Sequence, residues 1–246
     1  MKGNELAVKF QLGETSNEFS YLNEHGGLIQ KLKGRLGDAT FPSVLEHYKL
    51  HRFRAYTPVT HESDSVYYLE PPFGNNLADM VATDESLRES VSLLLNSKGY
   101  KLNIDSLRGK INMIKEEKGV LHTYLYNIFS DTLQRIIFYF AVLETNTDSV
   151  LLLEEPEANT FPYYTKQLAE RIALDENNNQ FFIATHNPYL LSSIVEKTPI
   201  NYIAINIVYM ENYKTQLYTL SDDQLAEVLD LGPDVFYNLD RFLPEA

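Results

Sequence analysis

Two apolar runs in the second half of the chain constrain its fold more than any other feature. The run SVLLLE occupies residues 149–154 and the run NQFFIAT occupies residues 179–185, with apolar residues at helical spacing between them. Strands that are apolar at consecutive positions are typical of parallel sheets, which helices cover on both faces. Residues 129–246 therefore predict an α/β fold in which strands and helices alternate along the chain.

Helix boundaries in this half are marked by residues of suitable type. Ser130 is a good N-cap, and Asp131 lies where the helix dipole favours a negative charge. Pro188 suits the first turn of a short helix, and Gly232 suits the end of a helix that begins near residue 221. Residues 200–220 predict a terminal pair of strands.

The first half of the chain follows different patterns. Residues 1–74 predict a β-rich part, with a hairpin signal at Gly26–Gly27. Residues 75–128 predict a helical insertion because their apolar residues are spaced by three and four, although residues 99–119 suit a strand equally well. No linker is evident between these parts, so we expect a single domain over residues 1–246.

Charge and composition exclude several classes of protein. The chain has no cysteine, which excludes disulfides, thiolate metal sites and cysteine nucleophiles. Residues 141–246 carry 5 basic and 17 acidic residues, so this half is a poor surface for sequence-independent nucleic-acid binding. No apolar run approaches the roughly 20 residues of a membrane span. Nothing at the N-terminus resembles a signal peptide, and we expect a cytoplasmic protein without membrane contact.

Acidic residues and a histidine follow the two apolar runs. Glu154 and Glu155 lie at the end of the first predicted strand, and His186 lies at the end of the second, about 30 residues later. Ligands of open parallel sheets bind beyond the carboxyl ends of the strands, so we expect these side chains at one rim. One carboxylate there can hold Mg²⁺ directly or through water, a second can orient or deprotonate a water molecule, and an imidazole can sense a phosphate.

Three segments together resemble the motifs of a known class of ATPases. VLLLEEPE resembles the Walker B strand of ABC-type ATPases, FFIATHNPYLL resembles their switch-histidine segment, and FSDTLQRI lies where they carry their signature segment. The chain is most similar to the SMC/RecF-like AAA family ATPases, including the overcoming-lysogenization-defect and abortive-infection relatives. The resemblance covers about residues 128–195 and implies a P-loop NTPase with an ABC-ATPase-like α/β sandwich.

The resemblance also implies a role for each site residue. Glu154 would hold Mg²⁺ through water, Glu155 would polarise the attacking water, and His186 would contact the γ-phosphate of ATP. Ser130 would meet the nucleotide bound to the other subunit of a head-to-tail dimer, which agrees with the affinity of helix N-termini for anions. Family analogy adds nucleic-acid maintenance or phage defence as a biological setting, by analogy alone.

The sequence departs from this family at several positions. Glu154 stands where an aspartate is usual, and the signature segment lacks a glycine. No G-x-x-x-x-G-K-[ST] phosphate loop is present, since the only Gly-Lys pair, Gly109–Lys110, is followed by isoleucine. In the family, this loop precedes strands like those expected at residues 1–60. A fragment, a gene split in two and a degenerate ATPase all remain open explanations.

These departures set our expectations for activity. We expect the isolated chain to bind Mg·ATP weakly or not at all, and either a homodimer or a partner chain to supply the phosphate loop. In the family, the strand before that loop lies beside the histidine-bearing strand, so we expect a rearrangement of the N-terminal strands, a partner strand or self-association through that edge. The alternatives are a degenerate ATPase fold that serves as a dimerisation or regulatory module, and a metal-dependent nuclease that uses Glu154, Glu155 and Glu157.

Overall fold

The chain divides into two compact units, residues 1–48 and residues 49–246. The structure, a computed structural model, describes the strands at residues 7–12, 17–22, 28–34 and 50–53, together with residues 67–105 and 108–243. The predicted single domain over residues 1–246 stays a prediction, and the two units are described separately.

The first unit contains an antiparallel sheet of three strands in the order β1-β2-β3: β1 (Ala7–Leu12), β2 (Asn17–Leu22) and β3 (Leu28–Gly34). These strands lie in the part of the chain that the sequence predicts to be β-rich. The predicted hairpin residues Gly26 and Gly27 lie outside the described residues, between β2 and β3, which pair with each other as a hairpin requires.

The second unit begins with one strand, two helices and three further strands: β4 (Leu50–Phe53), α1 (Leu77–Thr83), α2 (Glu85–Asn96), β5 (Lys101–Asp105), β6 (Lys110–Glu117) and β7 (Val120–Leu125). The helical prediction for residues 75–128 is correct for α1 and α2 and wrong for residues 101–125, which form an antiparallel sheet in the order β5-β6-β7. Lys118 and Gly119 both have positive φ, as a two-residue hairpin turn between β6 and β7 requires. Pairing across this turn decides what the local pattern leaves ambiguous.

The remaining elements alternate as the sequence predicts: α3 (Asp131–Thr145), β8 (Val150–Glu154), α4 (Pro162–Ala173), β9 (Gln180–Ala184), α5 (Pro188–Lys197), β10 (Asn206–Glu211), β11 (Lys214–Thr219) and α6 (Asp222–Leu231). The Ser130 hydroxyl caps α3 by accepting a hydrogen bond from the Leu133 amide at 3.3 Å, and Ser221 begins α6 with a capping box. Pro188 lies in the first turn of α5. The predicted helix starts are therefore confirmed.

The central sheet is parallel, with strand order β4-β8-β9. In its register Glu154 of β8 is aligned with Ala184 of β9, so the two strands end together. The predicted α/β fold class with parallel strands is confirmed. The chain segments that follow both strands consequently leave the sheet at the same rim.

The main core lies between this sheet and the helices around it. Residues 136–143 of α3 are at most 4% exposed, because this helix is apolar on nearly every side and is covered by its neighbours. Leu151 of β8 and Leu168 of α4 are fully buried in the same cluster. A second cluster surrounds Leu225 and Val228 of α6. Burial of each large aliphatic side chain contributes about 1.5–3 kcal/mol.

Strand β9 differs from the prediction that it is buried. Gln180, Phe182 and Ala184 are exposed, and the Phe182 side chain is 53% exposed. Within the described part of the chain β9 pairs with β8 alone, so one of its edges and one of its faces are open.

No helix among the described residues has the length and apolar character that a membrane crossing requires.

Candidate active site

The ends of β8 and β9 bring Glu155 and His186 together. The Glu155 amide donates to the Ala184 carbonyl at 2.8 Å, which continues the strand pairing one residue beyond β8. Glu155 Oε1 then lies 3.2 Å from His186 Nδ1. The two side chains are 48% and 76% exposed, so a ligand can reach both. The structure therefore places an acid and an imidazole side by side at the rim of the sheet.

The backbone at Glu155 has an uncommon conformation. Its φ is +42°, in the left-handed region that residues other than glycine rarely occupy. Such a residue is less stable by roughly 1–3 kcal/mol than in a relaxed conformation, and residues of this kind concentrate at functional sites. The turn at Glu155 directs the chain from β8 towards α4 while its carboxylate stays beside His186.

Glu154 is the last residue of β8 and is exposed at the same rim. No group of three or more His, Asp or Glu side chains able to hold a metal ion occurs among the described residues. Magnesium is commonly bound by one or two carboxylates together with water and substrate phosphates. Glu154 and Glu155, which follow each other in sequence at this rim, would supply the carboxylates of such a set, and phosphate oxygens would complete it.

Ser130 lies at the N-terminus of α3, where it is exposed. Two residues later, the Thr132 hydroxyl donates to the Asn159 carbonyl at 3.1 Å, so this helix start contacts the turn that follows β8. The hydroxyl of Ser130 is used in capping Leu133, while the first amides of the helix remain directed outwards as at any helix N-terminus. The structure thus connects the segment that carries Ser130 to the turn that carries Glu155.

Glu157 does not join the other two acids at the surface. It is only 5% exposed, and its Oε1 accepts a hydrogen bond from the Thr185 hydroxyl at 2.5 Å. The three-carboxylate metal site that the nuclease hypothesis required is therefore not found, since no metal-holding cluster in the described part of the chain contains Glu154, Glu155 and Glu157. The sequence offers no local sign that Glu157 turns inwards.

Three buried polar groups lie in α3 and in the turn after β8. Among the described residues, Glu157 Oε2, Arg135 Nη1 and the Tyr139 hydroxyl are buried without a hydrogen-bond partner. Each unsatisfied group of this kind reduces stability by about 1–3 kcal/mol. Burial raises the pKa of Tyr139 to about 12, with the charge of Arg135 opposing the shift and those of Glu157 and Glu154 adding to it. The spacing of Arg135 and Tyr139 by four places in an apolar helix is the signal that sequence reasoning missed.

A separate cleft of about 900 Å³ lies between α2, α3 and α4. In it Arg171 pairs with Glu144, and its guanidinium lies 3.8 Å from the centre of the Phe140 ring. None of the predicted site residues lines this cleft. The strand-end rim and this cleft are therefore distinct features of the second unit.

Comparison with protein families now identifies the chain. Residues 14–192, more than half of its length, match the family described as "AAA domain, putative AbiEii toxin, Type IV TA system". The chain belongs to this AAA family. The match confirms the predicted membership of an AAA family.

Solved structures with similarity to this AAA domain include SMC heads. One comes from work on ATP-driven dimerisation and DNA-stimulated activation of SMC ATPases, with a TM-score of 0.43, 16% identity and coverage of 63% of this chain and 95% of that one. The Thermotoga maritima SMC head has a TM-score of 0.41 and 14% identity, with coverage of 89% and 75%. The Pyrococcus yayanosii Smc head with its coiled coil has a TM-score of 0.43 and 16% identity, with coverage of 61% and 30%. The assignment to the AAA family does not rest on these low scores, and no curated protein matched the chain.

Proposed function

We propose that this AAA domain contributes the water-activating half of an ATP-binding and ATP-hydrolysing site. Glu155 polarises the attacking water, Glu154 holds Mg²⁺ through water, and His186 contacts the γ-phosphate. The observation that supports this proposal is the 3.2 Å contact between Glu155 Oε1 and His186 Nδ1 at the rim where two parallel strands end. Ligands of such sheets bind at that rim.

The pairing of Glu155 with His186 suits this chemistry. An imidazolium donates from both of its nitrogens, so His186 can donate to Glu155 from Nδ1 and to a phosphate oxygen from Nε2. The carboxylate of Glu155 is half-exposed, which leaves it able to accept a hydrogen bond from a water molecule as well. Magnesium bound at Glu154 would supply neutralisation of the phosphate charge.

Ser130 extends the proposal to a dimer. The N-terminus of the fifteen-residue helix α3 offers amide donors and a favourable dipole for an anion. We assign Ser130 to the γ-phosphate of a nucleotide bound by a second subunit in a head-to-tail homodimer. The contact between Thr132 and Asn159 connects the start of α3 to the turn that carries Glu155 of the same subunit, so a change at one can reach the other.

The phosphate loop must come from elsewhere. The sequence has no Walker A motif, whose lysine and amides normally supply most of the β- and γ-phosphate binding. The described part of β9 has an open edge with Phe182 exposed, which suits the addition of a further strand. We therefore propose that another segment or a partner chain supplies the loop, and that this chain alone binds ATP weakly and hydrolyses it poorly.

A second candidate function is a dimerisation or regulatory module that keeps the ATPase fold without its catalysis. The absence of the motif from the sequence and the glutamate at position 154 favour it. In either case we propose a cytoplasmic setting, and nucleic acid remains a partner by analogy alone. The net charge of −12 over residues 141–246 disfavours broad contact of that half with nucleic acid.

Histidine NMR separates the two candidates. In protein labelled at its six histidines, we expect millimolar Mg·ATP to move the imidazole signals of His186 and to leave those of the others largely in place. Mg·AMP, which lacks the γ-phosphate, is the ligand control, and Glu154→Gln should weaken the response. An unmoved His186 signal, or equal responses to the two nucleotides, would favour the regulatory module.

A further inference from the structure

The hydroxyl group of Thr185 makes two hydrogen bonds, one to buried Glu157 and one to the residue after His186. Thr185, the residue before His186, donates its hydroxyl to Glu157 Oε1 at 2.5 Å. The same hydroxyl oxygen accepts a hydrogen bond from the Asn187 amide at 3.0 Å. Asn187 in turn caps α5 by accepting from the amides of Tyr189 and Leu190 at 2.9 and 3.2 Å. The backbone on both sides of His186 is therefore fixed through the Thr185 hydroxyl.

Glu157 is itself held firmly on the other side of this contact. Its carbonyl accepts hydrogen bonds from the Thr160 amide at 3.0 Å and from the Thr160 hydroxyl at 2.6 Å. The Thr160 hydroxyl also lies 2.9 Å from the hydroxyl of Thr165, in the first turns of α4. Because Glu157 is buried and tied to α4, its carboxylate is a fixed point for the loop after β9.

The His186 side chain has little other support. It is 76% exposed, and its contact with Glu155 is an exposed one. Surface pairs of this kind are weak by themselves, so the contact depends on a backbone that keeps His186 within reach of Glu155. A hydrogen bond to a buried carboxylate is stronger than one between neutral groups, which makes Glu157 suited to that task.

We propose that Glu157 is a positioning residue which, through the Thr185 hydroxyl, holds the loop after β9 so that His186 stays beside Glu155. A role of Glu157 in catalysis rests on the proposed ATPase function, whereas its role in positioning the His186 imidazole does not. Glu157 has no contact with nucleotide in this proposal, and it acts on the site only through Thr185.

The test compares two substitutions at one position in the full chain without nucleotide. Thr185→Val keeps the side-chain shape and removes the hydroxyl, and Thr185→Ser keeps the hydroxyl. We expect Thr185→Val to move the His186 imidazole signals towards those of a Glu155→Gln reference, and to speed exchange of the Asn187 amide about fivefold. Thr185→Ser should match the wild type in both measurements. A Thr185→Val protein that is less stable but keeps wild-type His186 signals would overturn the proposal.

A second variant and a comparison with Mg·ATP test the positioning role separately from the proposed function. Should Thr185→Val fail to fold, Glu157→Gln decides the matter: it removes the charge, keeps an acceptor, and should move the His186 signals part of the way in the same direction. Unchanged His186 signals in that variant would contradict the positioning role. If Mg·ATP leaves the wild-type His186 signals unmoved while Thr185→Val moves them, the ATPase function fails and the positioning role stands.

Discussion

Substitution of Gly74 by alanine tests how closely α3 is packed. Gly74 has a φ of +67°, and a Cβ placed on it would lie 2.8 Å from the Phe138 ring and 3.1 Å from a methyl group of Leu69. Both neighbours are fully buried, so neither can move freely. Gly99 is a matched control because its φ is +79° and a Cβ placed on it would meet no atom within 4 Å.

The two substitutions share one energetic term and differ in another. Both place a residue with a side chain in the left-handed region, which destabilises the folded protein by roughly 1–2 kcal/mol. Only Gly74→Ala also overpacks the core, which destabilises by about 1–3 kcal/mol. With a urea dependence of about 3 kcal/mol per molar, this difference lowers the unfolding midpoint of Gly74→Ala by roughly 0.3–1 M relative to Gly99→Ala.

The assay is equilibrium urea unfolding of the wild type and both variants, followed by far-ultraviolet circular dichroism. We expect the order of midpoints to be wild type, then Gly99→Ala, then Gly74→Ala. Equal midpoints for the two variants would refute the close packing of residues 69–74 against α3, the helix that begins beside Ser130.

Two further predictions concern the same helix. Tyr139→Phe removes a buried hydroxyl without a described partner, so stability at neutral pH should stay equal or rise. Because burial raises the folded-state pKa of Tyr139 from 10.0 to about 12, ionisation opposes folding, and stability falls as the pH rises from 10 towards 12. The loss approaches about 3 kcal/mol at pH 12 and is about half of that at pH 11, and Tyr139→Phe should lack it when urea unfolding at pH 8 and 11 is compared. Ser130→Ala should destabilise by about 1 kcal/mol through loss of the cap, whereas Ser130→Asp should retain it; equal losses in thermal unfolding would contradict the capping role.

Much of the second unit follows from local sequence patterns. The cap at Ser130 and the apolar residues of 150–153 fix α3 and β8 because their signals are confined to neighbouring residues. Residues 99–119 are ambiguous in sequence because an apolar spacing of three or four fits a helix. The positive φ at Lys118 and Gly119 and the pairing across them are properties of the folded chain. Tertiary pairing overrides a weak local preference in this segment.

The candidate site is predictable in part for the same reason. Glu155 and His186 each follow an apolar strand, and adjacency of parallel strands suffices to bring them to one rim. The inward turn of Glu157 depends on a contact with Thr185, 28 residues away, and no local pattern encodes such a contact. The exposure of Phe182 likewise depends on what packs against that face of β9, which the apolar character of the strand does not reveal.

Paramagnetic relaxation by Mn·ATP tests the central claim most directly, namely that Glu155 and His186 face one metal–nucleotide pocket. Mn²⁺ takes the oxygen ligands that Mg²⁺ takes and broadens nearby NMR signals. We predict selective broadening of the His186 imidazole, no broadening of the exposed His122 on β7, and loss of the effect in Glu154→Gln. An unbroadened His186, or equal broadening of both histidines, would contradict the account.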